Sequence, residues 1–219
     1  MANAPDHLKM TPFYGLFHYL AGILYAMWFR GEVAGTENFP AEGPFLIASN
    51  HASHLDPPLV GSLIPRQMRF FARRTLWSNP VAGWWLTRVE TIPVERDSGD
   101  IGAIKRVLQT LKEDRVVVLF PEGTRSPDGH LQKPKAGVGL MACKTSVPVV
   151  PCRVFGSYEA FGKGTALPRL GTPVSIVFGR PISAFEYDDP AAGKARYEIA
   201  AQRIMDRIAA LPRPVYPVI

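Results

Sequence analysis

Cysteine is scarce in this chain, with only Cys143 and Cys152 among 219 residues. Neither falls in a Cys-x-x-Cys or Cys/His spacing, which excludes a zinc site built on thiolates. One lies in a helix-like and one in a strand-like segment, as expected of core thiols in a reducing, cytoplasmic compartment. Linkers are missing too: no Ser/Gly-rich or charge-rich stretch divides the sequence. A length of 219 residues then accommodates one good-sized core rather than two domains. No internal repeat is present, and no low-complexity segment beyond the proline-containing tail "LPRPVYPVI", which excludes a solenoid.

A further absence is local. Between Met10 and Phe29 there is no Asp, Glu, Lys or Arg. No small-x-small cleavage site follows this apolar run, which argues against a signal peptide. Wound as a helix, it places Phe13, Leu16, Phe17, Leu20, Ile23, Leu24 and Met27 on one side and Tyr14, His18, Gly22 and Tyr25 on the other. That sorting favours lying in a membrane interface over crossing a bilayer, with a helix that closes a soluble core as the competing reading. Residues 1–30 are accordingly read as a membrane-associating helix and 31–219 as the main domain.

What the chain does contain is an ordinary globular mix, 47% apolar and 20% charged, which excludes disorder. Twenty-five Lys and Arg against 19 acids give a net charge of +6, suited to a phosphate-bearing partner, lipid headgroup or nucleic acid. Short β-rich runs at 44–49, 68–73, 90–94, 116–120, 148–154 and 174–179 alternate with helix-length segments. Continuous apolar runs such as Val116 to Phe120 indicate strands covered on both faces. The expected fold is therefore α/β, a sandwich with a central mixed or mostly parallel sheet flanked by helices. A helix over 98–112 is signalled by the capping acids of "RDSGD" and by Ile101, Ile104, Val107 and Leu111 on one face. A last helix, 191–210, closes the domain.

Chemistry concentrates where strands end. "IASNHASHLDPP" leaves strand 44–49, and Asp56 followed by Pro57 and Pro58 looks like a helix N-cap. His51 lies between, at the edge where α/β sheets place reactive groups. Five positions separate it from Asp56, so a tight turn can bring the carboxylate to one imidazole nitrogen and leave the other as a free base. No Gly-x-Ser-x-Gly elbow occurs, so no protein nucleophile is apparent and the substrate must bring its own hydroxyl. A second cluster, "LFPEGTRSPDG", leaves strand 116–120. "SPDG" reads blandly as a type I turn and Glu122 as a cap or ion-pair partner. Read chemically, Gly123 permits close backbone approach and Arg125 offers a planar fork to phosphate. Arg96 ends another strand, and Lys133 and Lys135 precede a helix; any one such cation alone is an ordinary surface charge.

Four blocks taken in order, "NHASHLD", "IPVER", "FPEGTRSPDG" and "VPVVPCRV", resemble the glycerophospholipid acyltransferases, in particular bacterial 1-acyl-glycerol-3-phosphate acyltransferases. Pro93 and Glu95 depart from the usual second block, while Arg96 matches it. The resemblance implies His51 as general base and Asp56 as its orienting partner. It implies acceptor binding by Arg96, Glu122, Gly123 and Arg125; Thr124 in the same turn and Lys135 complete the expected substrate-binding set. The activity implied is acyl transfer from acyl-CoA, or from acyl carrier protein, to the sn-2 hydroxyl of 1-acyl-glycerol-3-phosphate, giving phosphatidic acid, with no metal and no bound cofactor.

Backbone N–H groups near 50–53 or around Gly123 are the candidate oxyanion donors. His54, inside the spacer, is assigned a turn role only. The segment 66–88 mixes Arg66, Arg69, Arg73 and Arg74 with Trp77, Trp84 and Trp85, and fits interfacial tryptophans and anionic headgroups better than nucleic acid, since no DNA- or RNA-binding motif accompanies it. The expected location is the cytoplasmic face of the cell membrane, peripheral or monotopic. Two other readings stay open: acylation of another lysolipid, such as lyso-ornithine lipid, and a non-enzymatic membrane-surface binding module.

Overall fold

A computed structural model describes residues 10–95 and 101–214. Its centre is a six-stranded sheet. The strands are β1 (Val33–Ala34), β2 (Phe45–Ser49), β3 (Met68–Arg69), β6 (Val116–Leu119), β7 (Val149–Phe155) and β8 (Ser175–Phe178), in the order β1-β8-β7-β2-β6-β3. Every neighbouring pair is parallel except β7 with β8. Beside it, β4 (Phe71–Arg73) and β5 (Ile92–Val94) form a separate parallel pair. The expected mostly parallel α/β sandwich is the fold observed.

The continuous apolar strands are covered on both sides, as side-chain alternation requires. Leu46, Ala48, Val117, Leu119 and Val149 face one layer: α4 (Ile101–Lys112), α5 (Ala136–Thr145) and α8 (Arg196–Ala209), which supply Val107, Val138 and Ile204. Phe45, Ile47, Val116, Val118 and Val150 face the other, where α1 (Pro12–Trp28) and α2 (Asp56–Ser62) supply Tyr25, Leu59 and Val60. α5 and α8 cross so closely that a Cβ on Gly139 would stand 2.0 Å from the Tyr197 carbonyl oxygen. Cys143 and Cys152 are free, buried core thiols, and desolvation pushes them up to about 11 and about 12 respectively.

Three elements differ from the sequence expectation by more than a residue at a boundary. The run 68–73 is two strands, because Met68 and Arg69 pair with β6 whereas the Phe70 carbonyl accepts from Ile92 N–H at 2.7 Å and passes the chain to β5. Strand 90–94 starts at Ile92, since Glu90 has φ of +55°, outside the extended region. The closing helix is broken at Gly193 (φ +57°): Pro190–Ala195 forms a 3-10 turn before α8. The capping acids expected at 96–100 lie outside the described residues.

α1 docks through its tyrosine side. Tyr14 and Tyr25 are 5% and 7% exposed, Tyr25 Oη donates to the Val174 carbonyl at 2.7 Å, and His18 Nδ1 meets the Gly61 carbonyl at 3.0 Å. Its other side is bare: Leu16, Leu20, Ile23, Leu24 and Met27 are 57, 44, 51, 39 and 72% exposed. Phe13 and Phe17 meet Trp84 and Trp85 of α3 (Pro80–Arg88) edge to face, at 5.3 and 5.6 Å. No helix among the described residues is long and apolar enough to cross a membrane.

Candidate active site

The parallel neighbours β2 and β6 end side by side, so the loops that follow them meet at one sheet edge. His51 is the second residue beyond β2. Its Nδ1–H donates to Asp56 Oδ2 at 2.9 Å, which fixes the tautomer and leaves Nε2 as an acceptor. The imidazole is 13% exposed and the carboxylate fully buried. Phe120, the first residue past β6, stacks on the ring at 4.1 Å and 25°.

Asp56 does not cap α2 as its neighbouring prolines suggest. Its carboxylate turns back, and the same Oδ2 accepts from the N–H groups of Ala52 and Ser53, both at 2.7 Å. Three donors on one oxygen make it a rigid anchor for the loop, while Oδ1 is buried without a hydrogen-bond partner. Asn50 ties the loop to the other neighbour, β7: its Nδ2 donates to the Val154 carbonyl at 3.0 Å and its Oδ1 accepts from Val154 N–H at 2.7 Å.

The second loop clasps the first. His51 N–H donates to Glu122 Oε1 at 3.0 Å, and Ser126 N–H donates to the His51 carbonyl at 2.7 Å. Burial pushes the Glu122 carboxyl up to about 7; the His51 and Gln132 amides oppose this, and the nearby Asp56 charge adds to it. Glu122 Oε2 is buried and has no hydrogen-bond partner. Gly123 has φ of +67° and donates its N–H to the Phe120 carbonyl at 2.9 Å, closing the turn. The Lys135 stem lies across it, with Cδ 2.9 Å from where a Gly123 Cβ would stand. Thr124 and Arg125 continue the turn, both half-buried. Arg125 is near enough to His54 to help lower that imidazole's proton affinity, behind burial and ahead of His51. Arg96 lies outside the described residues.

The structure thus brings together His51, Asp56, Glu122, Gly123, Thr124, Arg125 and Lys135. It also brings in three residues that the sequence reading passed over or gave only a turn role. Phe120 and Asn50 act through stacking and through a contact with a distant strand, and neither leaves a sequence signal. His54, given a turn role, shares the field of Arg125 and His51. The oxyanion candidates narrow: the amides of His51, Ala52 and Ser53 are engaged by carboxylates, and that of Gly123 by a backbone carbonyl. Among the described residues no three His, Cys, Asp or Glu side chains converge as metal ligands.

A His/Asp pair is thus held beside a basic turn at the carboxyl edge of a mostly parallel sheet. Residues 30–155 match the sequence model of the Acyltransferase family, and the chain belongs to that family. It is 29% identical over 204 residues to the chloroplastic 1-acyl-sn-glycerol-3-phosphate acyltransferase LPAT1 of Arabidopsis thaliana, covering 90% of this chain and 57% of that one. It is 30% identical over 158 residues to the 1-acyl-sn-glycerol-3-phosphate acyltransferase of Bacillus subtilis (strain 168), covering 71% and 75%. The chain spans little more than half the length of the chloroplastic relatives it matches, 57% and 52%. The fold matches the crystal structure of the 1-acyl-sn-glycerophosphate (LPA) acyltransferase PlsC from Thermotoga maritima with a TM-score of 0.70, at 24% identity, over 89% of this chain and 77% of that one.

Proposed function

We propose that this chain moves an acyl group from a thioester, acyl-CoA or acyl carrier protein, to the sn-2 hydroxyl of 1-acyl-glycerol-3-phosphate, forming phosphatidic acid. The observation that carries this reading is the His51–Asp56 pair clasped by the Glu122–Ser126 turn. The names of the relatives point the same way.

An alcohol is a poor nucleophile near neutrality, so His51 Nε2 takes its proton as the oxygen attacks the thioester carbonyl. The imidazolium that forms is stabilised by Asp56 through Nδ1–H. Collapse of the tetrahedral intermediate breaks the C–S bond, and His51 returns the proton to the departing thiolate. The transfer is direct. Neighbouring hydroxyls are turned elsewhere: Ser49 Oγ donates to the Asn50 carbonyl, Ser53 Oγ to the Phe161 carbonyl, and Ser126 Oγ to Asp128. Cys152 is buried with its thiol held protonated. Arg125 and Lys135, with Arg96, hold the acceptor phosphate, and Glu122 and Gly123 shape the turn that presents them.

The acceptor and product are amphiphiles, and the bare side of α1 suits a protein resting on the bilayer that holds them. The exposed Trp84 on α3 and the exposed Arg73, Arg74 and Arg88 beside it extend that surface toward anionic headgroups. The protein is then peripheral or monotopic at the cytoplasmic face, where free thiols such as Cys143 and Cys152 persist.

The test is a panel of acceptors. Purified protein with acyl-CoA should release CoA and form a diacyl product fastest with 1-acyl-glycerol-3-phosphate. Faster product formation with lyso-ornithine lipid, or release of free fatty acid instead of a diacyl product, would contradict the assignment.

A further inference from the structure

The hydrogen bond from His51 Nδ1 to Asp56 Oδ2 fixes one point of the imidazole but not the plane of its ring. The second side-chain torsion of a histidine is broad, and a hydrogen bond tolerates directions well off its axis. The ring can therefore rock about its bond to Cβ while the contact with Asp56 persists. Rocking swings the lone pair of Nε2 out of line with an approaching hydroxyl, because that lone pair points away from the rocking axis.

Another residue holds the face of the ring. Phe120 lies against it with centroids 4.1 Å apart and planes 25° from parallel, and among the described residues no other ring stacks there. Phe120 is itself well anchored. It follows β6 directly, its carbonyl accepts from Gly123 N–H at 2.9 Å, and its side chain packs on the apolar cluster that includes Phe45, Val118 and Val150. That anchorage belongs to β6, whereas His51 and Asp56 both belong to the segment after β2, so the imidazole is gripped from two neighbouring strands. The main chain of His51 is gripped across the same pair, through Glu122 and Ser126.

We propose that Phe120 is a positioning residue whose ring locks the plane of the His51 imidazole so that Nε2 faces the acceptor hydroxyl, an inference that rests on the acyl-transfer reading. A flat ring opposes tilting over the whole face of the imidazole. A branched aliphatic side chain of similar bulk meets that face at a few atoms and leaves it room to rock. The negative face of the aromatic ring also favours the positive charge that His51 gains as it takes the hydroxyl proton. Both effects act on the reacting arrangement and neither on the binding of a substrate, so their loss should fall on kcat alone. Phe120 meets the Glu122 turn through its carbonyl, which a change of side chain leaves in place.

The experiment compares the full-length protein with Phe120→Leu and Phe120→Tyr, with folding checked by circular dichroism. Phe120→Leu should lower kcat on the order of 10- to 100-fold, the scale of a small misplacement at the reacting centre, and leave the KM values for acyl-CoA and acceptor within about twofold. Phe120→Tyr restores the flat ring and should recover most of the turnover. Phe120→Met, whose flexible side chain fills irregular gaps, takes the place of Phe120→Leu should that variant not fold. Proton NMR reads the stack separately. The ring current of Phe120 displaces the His51 Hδ2 and Hε1 lines upfield, and with five histidines in the chain those lines are assigned by their loss in His51→Ala. They should move downfield in Phe120→Leu and hold their place in Phe120→Tyr. Full kcat in folded Phe120→Leu, a matching rise in the acceptor KM, no rescue by tyrosine, or unmoved ring-proton lines would each overturn the assignment. Absence of turnover by the unmodified protein with every acyl donor would instead mark failure of the acyl-transfer reading itself, while the ring-proton lines would still show whether Phe120 holds the imidazole.

Discussion

Asp56 carries two burdens on one oxygen, and two substitutions separate them. In Asp56→Asn the amide oxygen can occupy the place of Oδ2 and keep the Ala52, Ser53 and His51 donors, while the charge proposed to stabilise the imidazolium is lost. This variant should melt near the unmodified protein yet lose roughly 10²–10⁴-fold in turnover, the span of general acid–base catalysis. Asp56→Ala leaves buried N–H groups unpaired at about 1–3 kcal/mol each and should be destabilised severalfold more; equal stability of the two variants in thermal unfolding would show that the anchor is unimportant.

Glu122 has a different signature. Its folded carboxyl is raised to about 7, chiefly by desolvation, above its unfolded value, so between roughly pH 4.5 and 7 the folded state holds more protons than the unfolded one. Stability should therefore fall as pH rises through that window. Glu122→Gln should flatten the fall, with a gain above pH 7 on the order of 3 kcal/mol from about 1.36 kcal/mol per pK unit; an unchanged pH slope in chemical denaturation would count against it. The convergence of His51, Asp56 and the Glu122 turn was legible in the sequence, because both clusters directly follow apolar runs that read as neighbouring strands. The orientation of Asp56 was not, since prolines after an aspartate mark a helix start whether or not the carboxylate caps it. Phe120 and Asn50 were illegible for another reason: they reach His51 and Val154 across the sheet, not along the chain.

Among elements, α1 shows how far pattern reaches. Of the two sides that periodicity sorts, the one carrying Tyr14 and Tyr25 docks, whereas Phe13 and Phe17 of the other pack against Trp84 and Trp85 and only its aliphatic residues stand exposed. Tyrosine hydroxyls find partners inside, Tyr25 on Val174 and Tyr14 by accepting from Met68 N–H, while the aliphatic side is left outward. Removing residues 1–29 would open the core at Tyr25 and Phe29, so the membrane role is better tested on the bare side. Leu20→Glu/Leu24→Glu should fold normally. Withdrawing two leucines from apolar contact, at about 1.5–3 kcal/mol each, should lower partition onto vesicles by more than tenfold. Vesicle binding equal to that of the unmodified protein would remove α1 from the interface. The strands were legible because continuous Val, Ile and Leu runs allow little else. The break at Phe70 was not, because a choice between two pairing partners is decided by tertiary register.

At the scale of the whole molecule, one sheet edge gathers His51, Asp56 and the Glu122–Ser126 turn, while α1 and α3 carry exposed apolar side chains with exposed arginines nearby. Anionic lipid should tighten vesicle binding and salt should weaken it, with screening over about 10 Å at 0.1 M. The proposed role of His51 is tested by product formation from acyl-CoA and 1-acyl-glycerol-3-phosphate by the purified protein and by His51→Ala, with folding of both checked by circular dichroism. The half-buried loop imidazole can be removed without opening the core, so the variant should keep its fold. The unmodified protein should form phosphatidic acid and free CoA in equal amounts, and folded His51→Ala should form neither above background. Near-normal phosphatidic acid formation by folded His51→Ala would contradict the account.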